Sequence, residues 1–138
     1  MLTNRSMPRC TVIPELPYSD VTEAAAWLCE AFGFTVRLRI ANHRVQLNVG
    51  DGAMVVTEGG EPAQQGVVAR GVMVRVDDVD AHHARAKEHG ARIVRPPTDY
   101  PYGERQYSVV DPGGHRWTFS QSIADIHPSD WGGTPGQL

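Results

Sequence analysis

Apolar and polar positions along the chain change their period twice, in the same order each time. The run from Val12 to Val21 is extended and apolar, Asp20 stands where a helix N-cap belongs, and Thr22 to Phe32 carries helical spacing closed by Gly33. Glu23, three residues after Asp20, completes a capping-box-like pair, and Gly33 supplies the left-handed position after the last turn. The order then recurs: an alternating run from Val72 to Val76, Asp78 as the second cap, a helical stretch from Asp80 to His89, and Gly90 at its end. A single one-residue gap superposes the two copies, the internal similarity that marks a duplicated unit. Strand-like runs follow each helix, at 34–40, 45–49 and 53–57 in the first copy and at 92–95, 106–110 and 116–121 in the second. Gly50-Asp51-Gly52 and Asp111-Pro112-Gly113-Gly114 read as the turns between the last two strands of each copy. The chain is therefore predicted to be α+β, two copies of strand, helix, strand, strand, strand. The link from Glu58 to Gly66 has loop composition, and the stretch from Ile123 to Leu138 reads as largely irregular.

Alternation also assigns faces. Val72, Val74 and Val76 alternate with Gly71, Met73 and Arg75; Val45, Leu47 and Val49 with Arg44, Gln46 and Asn48; Trp117 and Phe119 with Arg116, Thr118 and Ser120. The apolar faces are expected on the helices and the polar faces on a second surface, which a curved sheet turns into a concave ligand pocket. Length and charge narrow the classes of partner. A chain of 138 residues is one ordinary domain. A formal net charge of −3 without any basic block lacks the footprint of a nucleic-acid binder. No stretch reaches the roughly 18 apolar residues of a membrane span, and the polar start Leu2-Thr3-Asn4-Arg5 lacks a signal-peptide core, so the expectation is a cytoplasmic protein without membrane partners. Cys10 and Cys29 make neither a disulfide framework nor a zinc cluster, and Cys29 reads as a small buried hydrophobe. Trp27, Trp117 and Trp131 read as packing residues.

The repeat, the Asp-initiated helices and the segment Tyr102-Gly-Glu-Arg-Gln-Tyr-Ser-Val-Val-Asp-Pro-Gly-Gly-His-Arg-Trp-Thr-Phe119 together resemble the vicinal oxygen chelate superfamily, also called the glyoxalase, bleomycin resistance and extradiol dioxygenase superfamily. The Tyr-Gly-x-Arg … Asp-Pro-x-Gly-His-x-Trp pattern is similar to its PhnB-like branch, as is the Asp130-Trp131-Gly132 ending. The resemblance covers about residues 10–121. It implies two βαβββ modules, 10–58 and 69–121, joined into a cupped mixed β-sheet with helices on the outer face, followed by a tail over 122–138. It also implies a homodimer and a small-molecule ligand. Metal-dependent members place one His or Glu on the first and last strand of each module. Those positions fall here at Ile13, Val55, Gly71 and Thr118, of which only Thr118 offers a side-chain oxygen, and a weak one. A shift of two residues keeps the face and brings in Glu15, but one carboxylate does not make a metal site. No metal or other cofactor is expected.

Other constellations point to binding more than to bond-breaking. His82 and His83 are adjacent on a helix, no His pair has i, i+4 spacing, and both read as solvated. His115 follows the Gly113-Gly114 turn, where it either stabilises the turn or contacts ligand at the pocket rim. If the two hairpins superpose, Arg105 and Tyr107 face the pocket, and Arg75 and Arg116 share it by alternation, an array suited to an acidic or phosphate-like group. Glu15 is expected to be the partner of these arginines or else a general base. There is no nucleophile elbow and no phosphate-cradling glycine loop. The expected ligand-binding set is Glu15, Gln46, Arg75, Arg105, Tyr107, His115 and Arg116. The expected function is a metal-independent small-molecule binding protein, similar to bleomycin-resistance-type sequestering proteins, for an antibiotic-like or acidic metabolite. The alternative is a lyase, isomerase or dioxygenase relative with a displaced or absent metal, using Glu15 or His115 as acid or base. A third reading is an interaction subunit that only dimerises.

Overall fold

The computed structural model describes residues 2–59 and 71–137. The first module runs β1 (Glu15–Tyr18), α1 (Val21–Phe32), β2 (Thr35–Ile40), β3 (Arg44–Val49) and β4 (Gly52–Glu58). The second repeats it as β5 (Gly71–Arg75), α2 (Val79–Glu88), β6 (Arg92–Tyr100), β7 (Glu104–Val110) and β8 (Arg116–Ser122). The caps behave as the chemistry requires. The Asp20 carboxylate accepts from the Glu23 N–H at 2.9 Å and that of Asp78 from the Ala81 N–H at 3.0 Å, each satisfying a donor the helix cannot. Gly33 ends α1 in the left-handed region, its N–H on the Cys29 carbonyl.

The eight strands form two four-stranded mixed sheets, ordered β1-β4-β3-β2 and β5-β8-β7-β6. In each, the first strand runs parallel to the last and the remaining pairs are antiparallel. One core serves both. Leu16, Tyr18, Val45, Leu47, Met54 and Val56 from the first sheet join Val72, Val74, Tyr107, Val109, Trp117 and Phe119 from the second, with Ala25, Leu28, Phe32, Val79 and Ala86 of the helices. Phe32 lies edge-on to Trp117 and Phe119, with ring centres 5.5 and 4.8 Å apart, so the end of α1 interlocks with β8. Because these apolar faces share one core, the alternating polar faces look outward.

A buried knot ties the modules. The Tyr18 hydroxyl donates to Asp111 Oδ2 at 2.6 Å, the Trp117 indole donates to the same oxygen at 2.9 Å, and the His115 N–H donates to Asp111 Oδ1 at 2.9 Å. Gly113 is required beside it: a Cβ there would lie 2.5 Å from the Tyr18 ring.

Most element bounds lie within one or two residues of expectation, and three stretches differ by more. β1 is shorter than its apolar run because only Glu15–Tyr18 finds a partner in β4. β6 continues through Pro96 and Pro97 to Tyr100, with register shifts between Ile93 and Thr98; an edge strand tolerates residues that cannot donate to a ladder. The tail contains one 3-10 turn, Pro128–Trp131. Of the expected link, Glu58 ends β4, and residues 60–66, like 69 and 70 at the start of module two, lie outside the described residues.

Candidate functional site

Strand pairing sorts the expected site residues. On the first sheet, Glu15 pairs with Val55 and Val55 with Gln46, so Glu15, Arg44, Gln46 and Asn48 share the outward face. Glu15 meets Arg44 at 2.6 Å, an exposed pair, so its partner lies within module one and is none of the arginines expected of it. On the second sheet, Arg75 pairs with Ser120 and Ser120 with Gln106, while Thr118 pairs with Met73 and Ser108. Arg75 and Arg116 therefore lie on the outward face as expected, the Arg116 guanidinium 3.5 Å from the Ser108 hydroxyl.

Arg105 and Tyr107 do not join them. Their register partners are Gln121 and Phe119, on the helix side. Tyr107 is fully buried, its hydroxyl 2.6 Å from His82 Nδ1, and Arg105 reaches Asp80 at 3.0 Å and Asp99 at 2.9 Å. The reason is parity within β7. Tyr107 and Val109 alternate with Gln106 and Ser108, and the apolar pair follows Trp117 and Phe119 into the core. His82 is likewise not solvated. It falls between Val79 and Ala86 on the buried stripe of α2, its ring centre 4.0 Å from that of Phe119. The Phe32 carbonyl, 3.0 Å from Nε2, can only accept, so Nε2 carries the proton and Nδ1 accepts from Tyr107. His115 serves the turn: its Nε2 is 2.8 Å from the Pro17 carbonyl, joining β1 to module two.

The outward face of module two carries a polar array that strand parity could have revealed. The Ser120 hydroxyl donates to Glu104 Oε1 at 2.6 Å, the Gln106 amide donates to Ser120 Oγ at 3.0 Å, and the Tyr102 hydroxyl donates to Gln106 Oε1 at 3.3 Å. Burial alone would raise the Glu104 pKa, but the Ser120 and Ser122 hydroxyls and the charge of Arg75 outweigh it and hold the carboxyl below its ordinary range. Tyr100 and Tyr102 stack with centres 5.4 Å apart, and Trp131 of the tail lies 5.2 Å from Tyr102. The tail reaches this point because the Ile123 N–H donates to the Gly103 carbonyl at 2.8 Å. Aromatic faces, hydroxyls, a carboxylate and three arginines, Arg75, Arg95 and Arg116, thus share one side of the sheet.

The same pairing tests a metal. Glu15 rather than Ile13 sits beside Val55, and Met73 rather than Gly71 beside Thr118. In either set at most one residue is a strong donor to a divalent ion, and among the described residues no three His, Cys, Asp or Glu side chains converge. The residues present do not fit the family's metal.

The profile of the Glyoxalase/Bleomycin resistance protein/Dioxygenase superfamily matches residues 9–119. The chain belongs to that superfamily. TioX from Micromonospora sp. ML1 is similar in structure, with a TM-score of 0.69 and 36% identity over 86% of this chain and all of that one. A glyoxalase/bleomycin resistance protein/dioxygenase from Nocardioides, at 17% identity, shares the fold with a TM-score of 0.66 over 100% of this chain and 92% of that one. Uncharacterized proteins of Mycobacterium bovis and Mycobacterium tuberculosis are each 34% identical over 96 residues, 69% of this chain and 57% and 51% of theirs. The chain spans little more than half the length of these curated relatives. No helix among the described residues is long and apolar enough to cross a membrane.

Proposed function

We propose that this superfamily member is a metal-independent small-molecule binding protein that holds an acidic, partly aromatic ligand of antibiotic or metabolite type on its outward sheet faces. One observation carries the reading: the superfamily's metal positions hold Val55 and Thr118, while the outward face of β7 and β8 presents hydrogen-bonded hydroxyl, amide, carboxylate and guanidinium groups. Such groups orient a ligand by hydrogen bonds, and guanidinium forks favour planar anions. Acid–base catalysis finds less support, since Glu15 is paired with Arg44 and His115 Nε2 is engaged by the Pro17 carbonyl.

The site is read as completed by a second copy in a cytoplasmic homodimer. β1 and β5 are each an edge of their sheet, and pairing β1 of one copy with β5 of another joins two outward faces into one eight-stranded cup. The unit is residues 10–121, and the Tyr102-to-Trp117 motif supports the PhnB-like branch. The test is thermal unfolding of untagged protein with manganese, iron, cobalt, nickel or zinc, and with a panel of aromatic carboxylates and phosphates. A bound partner must raise the midpoint. Stabilisation by one class of anionic aromatic compounds and by none of the metals is expected. Stoichiometric uptake of a metal would instead favour the enzyme.

A further inference from the structure

The middle of module one's outward face is covered, although Glu15 on it is exposed and Arg44 only half-buried. Gln46 and Val55 point outward by register, yet each is only 2% exposed. What lies over Gln46 is a turn, Asn4 to Met7, closed by the Met7 N–H on the Asn4 carbonyl at 3.1 Å and by the Ser6 N–H on the Asn4 side chain at 3.0 Å. Three successive main-chain carbonyls of this segment converge on two side chains. Arg37 Nη2 donates to Arg5 O at 3.0 Å and to Met7 O at 2.9 Å, and Gln46 Nε2 donates to Ser6 O at 2.9 Å. Arg37 Nη1 fixes the Gln46 amide by donating to its Oε1 at 2.6 Å, which leaves Nε2 aimed at the turn.

Two features mark a built receptor rather than a chance contact. Arg37 is the inserted residue where the β2–β3 register slips between Val36 and Leu38, and a bulge re-aims a side chain. Among the described residues its guanidinium meets no carboxylate, only these neutral oxygens. The recognition is also blind to sequence: Arg5, Ser6 and Met7 are exposed and are held by their backbone, while Pro8 is buried behind them. We propose that the Arg37–Gln46 pair is a receptor for a peptide turn, read through three successive carbonyls and occupied in cis by Arg5–Met7, so that this segment is an exchangeable cap on the module-one face. It rests on the binding reading above and deepens it, naming turn-forming peptide chains as a ligand class for this half of the site.

A tethered segment competes at an effective concentration on the order of millimolar, so the cap must be loosened before a free peptide is seen. The probe is a blocked peptide of the sequence 2–9, titrated into the full chain and followed through the Gln46 side-chain amide signals by NMR. A second probe has the same turn but alanine in place of Arg5, Ser6 and Met7. In the wild type no shift is expected below about 1 mM. In the full-length Asn4→Ala/Pro8→Gly variant both peptides bind at least tenfold tighter, and adding Arg37→Met abolishes the shift. Asn4→Ala alone gives an intermediate affinity, which keeps the test usable if Pro8→Gly disturbs folding. Absence of binding to the loosened variants, or equal binding with Arg37→Met, overturns the receptor. Anionic aromatic ligands are titrated in parallel and read at Ser120. Their binding, with Gln46 silent to both peptides in the loosened variants, sinks only this inference, and peptide exchange without them sinks only the proposed function.

Discussion

Asp111 satisfies three donors with one carboxylate, and the donors come from both modules. Burial and the adjacent Asp111 charge push the Tyr18 phenol well above its ordinary range, so it stays a donor. Tyr18→Phe leaves Asp111 Oδ2 with the Trp117 indole alone and is expected to cost about 1–3 kcal/mol in urea unfolding. His82 makes a prediction about pH. Burial is the largest cause that lowers its pKa from the ordinary 6.5, so the unfolded chain takes up a proton before the folded one does. Stability from this residue is full above that value, falls as the pH drops through it, and levels off only below the folded pKa. Urea midpoints between pH 8 and 5 are expected to decline below 6.5, with a shallower decline in His82→Gln. Under the proposed function the two arginine classes are expected to separate in binding. Arg105→Ala, on the helix side, leaves ligand affinity within about twofold, whereas Arg75→Ala or Arg116→Ala lowers it about tenfold or more, the scale of a charge-assisted hydrogen bond. Equal losses at all three positions, measured by calorimetry, would contradict that assignment. Gln46, Arg75 and Arg116 could be placed from alternation because their own strands declare a parity, whereas Glu15 was reached only by a two-residue shift from the position the resemblance implied. Arg105 and Tyr107 were misplaced because parity was carried over from the other hairpin instead of read from Gln106, Ser108 and Val109 beside them.

At the scale of elements, caps and turns were the most legible features, since Asp20, Gly33 and Asp78 act through contacts within a few residues of themselves. The Arg37 bulge and the far half of β6 were not. A bulge is a property of two strands, and the Pro96-Pro97 pair argues against a strand until its place at the sheet edge is known. The turn between β6 and β7 offers a clean comparison. Gly103 has φ +85° and an added Cβ would meet the Ala124 carbonyl at 2.4 Å, whereas Gly50 has φ +58° and nothing within 4 Å. Both alanine variants pay the left-handed penalty of about 1–2 kcal/mol, but only Gly103→Ala also drives the tail from its seat. A lower melting temperature than Gly50→Ala, with altered tryptophan emission as Trp131 leaves Tyr102, is expected.

For the whole molecule, the duplicated order of elements together with the Tyr102-to-Phe119 segment was enough to identify the fold, because each copy repeats the same capped helix and the same order of strands. How the copies meet was not legible: the shared core depends on Phe32, Trp117 and Tyr18 crossing between modules, contacts that leave no periodic trace. If β1 and β5 join across copies, light scattering gives twice the chain mass, and Met73→Lys, which places a charge on the exposed β5 edge, shifts the population toward monomer. That pairing would use up the two inner edges and leave β2 and β6 outermost. One is bent by the Arg37 bulge and the other carries two residues without an N–H. A third copy would then find no continuous row of donors to extend. Assembly by strand addition would then stop at two, and concentrating the protein would fill the pair without seeding fibrils.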